Sequence, residues 1–482
     1  MASAEQTPST LPRVLGPFDA TMVVVGSVIG SGIFLKPAVL ARDLPTFGLI
    51  AGVWIAVGLV TLCGCLALAE LAAMLPQAGG PYVYLREAYG KLPAFLWAWT
   101  EFWVVRTGSI GALAVATAIY LNQVVELGRI GQELVAIGLV AVLTFVNFVS
   151  TRWTAHVQNL TSIIKVGFLG LIIILPFAMG RADVRLVQPL LPAEFTVALW
   201  SGLASALVGV LWAYDGWINI GPVVEEIRDP QRNVPRALAY GIGLVMFVYV
   251  AANAAYHLVL PHAVIAAGST PAADFFAALF GPDTARWVAL GVMFSTFGAV
   301  NSNMLTGPRI YFAVARDGLL PKAMHAVHDR YETPHNAVTL QGLWTVVLIV
   351  AVFHYDALLP LLEPPAAMLG SEFDATTKVL EPLDAFDALT NYVIFGGYTF
   401  YALAVSAVFV LRRKRPDLPR PYRAWGYPFV PAVFLVAFVA FLASMAYSSP
   451  KASAWGLVLI AAGVPFYFWM SRRAQSTAGP TE

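Results

Sequence analysis

Apolar stretches long enough to cross a bilayer recur along the chain, each ended by a short polar connection. A spanning helix needs about 20 apolar residues. Twelve segments qualify: about 19–42, 45–74, 83–120, 132–150, 153–179, 195–220, 235–260, 285–314, 337–354, 386–411, 428–447 and 452–471. The uncharged run 44–69 is too long for a buried helix of a water-soluble domain. The pattern predicts an all-α membrane protein with twelve transmembrane helices. The leader MASAEQTPSTLPRVLGP is polar, so no cleavable signal peptide is expected before the first span.

Composition agrees with that pattern. Of 482 residues, 59% are hydrophobic and 12% charged, and the mean hydropathy is +0.72. A soluble domain runs about 45–50% apolar and about 25% charged, so a soluble enzyme is excluded. A secreted disulfide scaffold is excluded as well, because the only two cysteines are Cys63 and Cys65. They sit two apart in an apolar run, where helix positions do not face each other, and read as buried thiols. With a formal charge of +1, nucleic acid is not an expected partner. Orientation follows the Lys and Arg in the connections. With the N-terminus in the cytoplasm, 18 of the 29 fall in inside segments and 7 in outside ones. Both termini are therefore expected to be cytoplasmic, in a multi-pass protein of the cytoplasmic (inner) membrane. The basic run 412–415 reads as a membrane-edge anchor.

Two spans carry sequences that would break a helix. The first holds GSVIGSGIF, with Gly26, Gly30 and Gly32 close together, and the sixth holds LWAYDGWINIGP around Asp215 and Gly216. Gly in a helix interior costs about 1 kcal/mol relative to Ala. One such segment reads equally well as close helix packing through small residues. Two, five spans apart in two five-helix halves, point to a transporter with an inverted repeat and discontinuous helices. A break also supplies chemistry. The half-helix after Gly30, Ser31 and Gly32 would present unpaired N–H groups to a carboxylate. Unwound carbonyls around Val28 and Ile29, and around Trp212, Ala213, Tyr214, Asp215 and Gly216, would suit an ammonium. An α-amino acid is the smallest common solute carrying both groups.

These residues resemble the amino acid–polyamine–organocation superfamily, and within it the L-type amino acid transporters and their bacterial relatives. GSVIGSGIF, WAYDGWINIGPVVEEIRDPQRNVPRA, FSTFGAVNSNMLTGPRIYFAVARDGLLP and FVLRRKRPDLPRPYRAWGYP carry the likeness, which runs from about residue 14 to 447. The resemblance implies a LeuT-like 5+5 inverted repeat with helices 1 and 6 broken. It implies a substrate carboxylate at Gly30, Ser31 and Gly32, and an amino group at the Val28 or Ile29 carbonyl and at those of Trp212 to Asp215. Sodium-independent relatives hold a Lys in span 5 near a vacated ion site, and Lys165 stands at that place. A lone ammonium in an apolar span is costly and points to function; it equally reads as a counterion to carbonyls at the helix break. Departures are AVNSN, where relatives commonly have AVNG, and Thr107 after Arg106, where Pro is common. Glu101 and Arg106, five apart, are not expected to share an α-helical face, so each is expected to pair with another helix. Animal L-type carriers bind a glycoprotein through a Cys after span 3. No Cys stands there in this chain, so a disulfide-linked heavy subunit is not expected.

The expected division is a tail at 1–17 and a transport core at 18–412, with repeats at about 18–180 and 195–412. An extracytoplasmic loop at 354–387, spans 11–12 with their basic loop at 413–471, and a tail at 472–482 complete it. The acidic loop 354–387 reads as solvated connection or as a lid over the outer vestibule. No HExxH, GxSxG or Walker A string occurs, and His156 and His257 lack helically spaced ligands. No enzyme, catalytic residue, metal or cofactor is expected, and nothing resembles a channel filter. The expected function is secondary transport of amino acids by sodium-independent exchange, mainly of neutral ones. Proton-coupled uptake that includes cationic amino acids, or a carrier-derived nutrient sensor, are the alternatives. Asp215 bears on this choice, either as a cap on the second half-helix or as a receptor for a polar or cationic side chain.

Overall fold

The computed structural model describes residues 10–268, 270–354, 382–448 and 450–477, and these are helical with no strand. The first expected span consists of α1 (Pro17–Val28) and α2 (Gly32–Asp43), whose axes bend by 42° at the intervening residues. Pro17 opens α1, and the Asp19 carboxylate accepts the Gly16 N–H at 2.7 Å, satisfying a donor that the helix leaves over. Next come α3 (Phe47–Met74), α4 (Pro81–Tyr89), α5 (Lys91–Thr100), a π-helical turn (Glu101–Val105), α6 (Arg106–Asn122), α7 (Gly128–Val149) and α8 (Thr151–Ala178). The second half opens with α9 (Val197–Ala213), which runs through a turn into a 3₁₀ helix, Trp217–Glu226. It continues with α10 (Pro230–Val259), α11 (His262–Ala267), α12 (Pro271–Phe280), α13 (Ala285–Arg316), α14 (His335–Phe353), α15 (Pro382–Lys414), α16 (Phe429–Ser448) and α17 (Pro450–Thr477).

Ten of these helical stretches are long and apolar enough to cross a membrane, and eleven if α1 and α2 count as one. The remaining expected segment, the tenth at 386–411, falls within the 33-residue α15. The span expected at 83–120 is divided. Its first residues form the short buried α4, and the chain turns at Gly90, φ +97°, before the spanning helix begins at Lys91. The apolar pattern ran on because Tyr82, Val83, Tyr84 and Leu85 bury their side chains against the bundle. Most of the acidic loop expected at 354–387 lies outside the described residues.

Small residues let α1 sit deep among its neighbours. A Cβ on Gly26 would collide with Gln158 and Ser162 of α8, and one on Gly241 of α10 would collide with Val24. Ile29 and Ser31 at the α1–α2 bend, and Tyr214 and Gly216 where α9 ends, are buried, so both interruptions lie where protein surrounds the irregular backbone.

Candidate functional site

The α1 helix stops at Val28, and α2 resumes with Ser31 as its first capping residue. The first N–H groups of α2 have no carbonyl one turn earlier to bond, and the buried Ser31 hydroxyl has no partner among the described residues. The other bend matches it chemically. The α9 helix ends at Ala213, and Gly216 takes φ +105°, a left-handed conformation that favours glycine, before the 3₁₀ turn begins. A Cβ there would lie 2.6 Å from the Ser27 carbonyl, so the two bends touch. Around them lies a cavity of about 110 Å³, room for several waters or one small solute.

Of the residues expected at the site, Val28, Gly30, Ser31, Gly32, Trp212, Ala213, Asp215 and Gly216 line this cavity, whereas Ile29 and Tyr214 do not. Tyr214 turns away to donate to the Trp54 carbonyl at 3.1 Å. The Ile29 carbonyl already accepts from Lys165 Nζ at 2.7 Å, and the Ser295 hydroxyl lies 3.3 Å from it and 3.1 Å from the Gly30 carbonyl. Lys165 also donates to the Gly26 carbonyl at 2.8 Å. It thus ties the last turn of α1 to the unwound residue beyond it, behind the cavity rather than in it. The Val28 and Ala213 carbonyls share the Tyr249 hydroxyl, at 3.0 and 3.1 Å, and each keeps a lone pair. The Asp215 carboxylate lies beside the Gly216 N–H and the Tyr401 hydroxyl, and its Oδ1 has no hydrogen-bond partner among the described residues.

The expectation that Glu101 and Arg106 pair with separate helices is overturned. Arg106 donates to Glu101 at 2.7 Å, and both are buried. The π-helical turn between them is the reason, since its i→i+5 period places residues five apart on one face. Arg106 also reaches Asn219 Oδ1 at 2.8 Å and Asn303 Oδ1 at 2.6 Å, so it does contact other elements. Arg106, Ser109, Asn219, Asn303 and Tyr401 all line the cavity and were not among the expected site residues. Arg106 carried the same signal that singled out Lys165, a charge inside an apolar span. Among the described residues no group of acidic, His or Cys side chains could hold a metal ion, and Cys63 and Cys65 are free thiols.

Comparison with known proteins agrees with this architecture. The chain is 31% identical over 465 residues to the large neutral amino acids transporter small subunit 2 of Mus musculus, covering 95% of this chain and 81% of that protein. It is 28% identical to the b(0,+)-type amino acid transporter 1 of Rattus norvegicus, over 97% of this chain and 89% of the relative. It is 27% identical to the serine/threonine exchanger SteT of Bacillus subtilis (strain 168), over 97% of this chain and 98% of that one. The family model described as amino acid permease matches residues 15–470. The chain therefore belongs to the amino acid permease family, whose members are membrane transporters and not enzymes.

Proposed function

We propose that this permease exchanges neutral amino acids across the cytoplasmic membrane by alternating access, without sodium. The observation that carries the sodium-independent part is Lys165, whose fixed ammonium neutralises two carbonyls at the α1–α2 bend, work a bound cation would otherwise do. In this reading the N–H groups of Gly30, Ser31 and Gly32 hold the substrate carboxylate. The ammonium takes the free lone pairs of the Val28 and Ala213 carbonyls, with Trp212 and Gly216 completing the wall. The α1–α2 and α9–3₁₀ bends are the discontinuous helices of two inverted repeats, 18–180 and 195–412. The excess of Lys and Arg in the connections on one side supports a reading with both termini in the cytoplasm.

In this reading Asp215 caps the backbone at the Gly216 break rather than receiving a substrate side chain, and Arg106 is held by Glu101, so neutral substrates are favoured. The relatives' names include large neutral amino acids and serine/threonine exchange, in line with this choice. With no Cys in the connection after α6, a single polypeptide without a disulfide-linked subunit is proposed.

Counterflow tests the reading. Proteoliposomes preloaded with an unlabelled neutral amino acid should accumulate labelled substrate equally in sodium and in choline. Loss of uptake in choline would overturn the sodium-independent part, and absence of counterflow would favour a sensor. Competition by lysine and arginine that disappears selectively in Asp215→Asn would overturn the preference for neutral substrates.

A further inference from the structure

At the end of the bundle that carries the N-terminus, a pocket of about 540 Å³ opens between α3, the start of α10 and the segment joining α15 to α16. Arg232 and Arg236 line it together with Gln231 and Tyr422, and no acidic side chain does. Both guanidinium groups are exposed, and neither makes a side-chain hydrogen bond or ion pair among the described residues. At this end Arg86 pairs with Asp317, Arg316 with Glu225 and Arg412 with Glu70, whereas Arg232 and Arg236, one helical turn apart on α10, face one space together.

The face they occupy continues along α10 toward the membrane. At 100° per residue, Arg232, Arg236, Tyr240, Gly243 and Phe247 lie within one narrow stripe. Tyr240 is 67% exposed and Phe247 66%, while a Cβ on Gly243 would meet nothing, so Gly243 leaves a notch between two exposed aromatics. Ile55 and Leu59 are exposed on α3, the helix packed along α10, and Leu66 of α3 lines the pocket itself. The order along α10 is thus two cations, an exposed tyrosine and then apolar surface.

We infer that this pocket binds the phosphate headgroup of an anionic phospholipid, with Arg232 and Arg236 as its ligands and the acyl chains laid along α10. Free phosphate would engage the arginines alone, whereas a lipid would also cover the exposed apolar surface that continues from them along α10, so the lipid is the occupant. Guanidinium groups suit this task because their planar fork matches phosphate oxygens, and basic pockets between spans are known headgroup sites.

Native mass spectrometry of the full-length protein in detergent, titrated with phosphatidylglycerol, phosphatidylcholine or inorganic phosphate, tests it. Phosphatidylglycerol should bind at stoichiometric levels and phosphatidylcholine much more weakly. Arg232→Gln/Arg236→Gln should weaken phosphatidylglycerol binding by about tenfold or more, on the scale of two juxtamembrane charges. Arg152→Gln, an exposed arginine outside the pocket, should leave it unchanged. Equal retention of phosphatidylglycerol by the double variant, equal binding of phosphatidylcholine, or saturation by inorganic phosphate at the same concentration would each overturn the inference.

Discussion

Lys165 and Gly32 show how much rests on single side chains at the bends. Replacing Lys165 by Ala leaves the Gly26 carbonyl without its donor and the Ile29 carbonyl with only Ser295, at about 1–3 kcal/mol for each buried group left unsatisfied. We expect Lys165→Ala to lower exchange at least about tenfold on that scale while the protein still inserts. Uptake that stays at wild-type level would show the ammonium to be dispensable. The glycines give a sharper contrast. A Cβ on Gly30 meets nothing within 4 Å, whereas one on Gly32 would stand 2.9 Å from the Ala213 Cβ and 3.0 Å from its Cα, pushing the two bends apart. Gly30→Ala should therefore leave thermal stability unchanged, whereas Gly32→Ala should lower both thermal stability and substrate binding, read by thermal unfolding and competition binding on purified protein. The reverse order would sink the packing argument. Lys165 was legible because a lone ammonium in an apolar run is conspicuous. That Tyr214 faces away from the cavity and that the Ile29 carbonyl already accepts from Lys165 were not legible, since both depend on α3, α8 and α10 packing around the bends.

At the scale of the elements, length and hydropathy marked the long apolar helices, and a cluster of glycines marked the 42° bend between α1 and α2. The π-helical turn of 101–105 left no such trace, and it alone makes Glu101 and Arg106 partners. Its effect is testable because breaking a buried pair costs about 3–5 kcal/mol, while replacing both charges with apolar groups is often neutral or better. Glu101→Leu alone should lower the thermal unfolding midpoint markedly, and Glu101→Leu/Arg106→Met should recover most of the loss. Transport should stay impaired in the double variant, since Arg106 also holds Asn219 and Asn303 beside the cavity. Full recovery of transport would mean that the pair serves the fold alone. Short helices were also hard to read. The connection between α10 and α13 hides α11 and α12, each shorter than a span, and α4 merged with the apolar run after it.

Across the whole molecule, the end carrying the N-terminus is closed by contacts between residues far apart in sequence, which no local pattern could announce. The Leu15 N–H donates to the Glu226 carbonyl at 2.9 Å, and the Arg228 N–H donates to the Leu15 carbonyl at 2.9 Å. Arg309 and Glu226 pair at 2.7 Å with both side chains fully buried, and Thr151 of α8 bonds to both. Farther out, Glu225 accepts from the Leu11 and Ala78 N–H groups and pairs with Arg316, while Asp317 pairs with Arg86 and takes the Tyr82 hydroxyl. Burial and the Asp317 carboxylate push that hydroxyl above its ordinary range, so it remains a donor at neutral pH. Alternating access requires this end to open in the other state, and the two layers should answer differently to substitution. Arg309→Gln strands the buried Glu226 carboxylate and should destabilise the fold itself. The Glu225–Arg316 layer is partly solvated, so Glu225→Gln should leave the fold intact and shift the equilibrium toward opening at this end. A change of about 1 kcal/mol alters that population ratio about fivefold. The reporter is Ser109→Cys, placed on the cavity wall, with labelling by a membrane-impermeant maleimide applied from the side of the termini. Faster labelling in the Glu225→Gln background with unchanged thermal stability is the expected result; an unchanged labelling rate would mean that the buried Arg309–Glu226 pair alone holds this end shut.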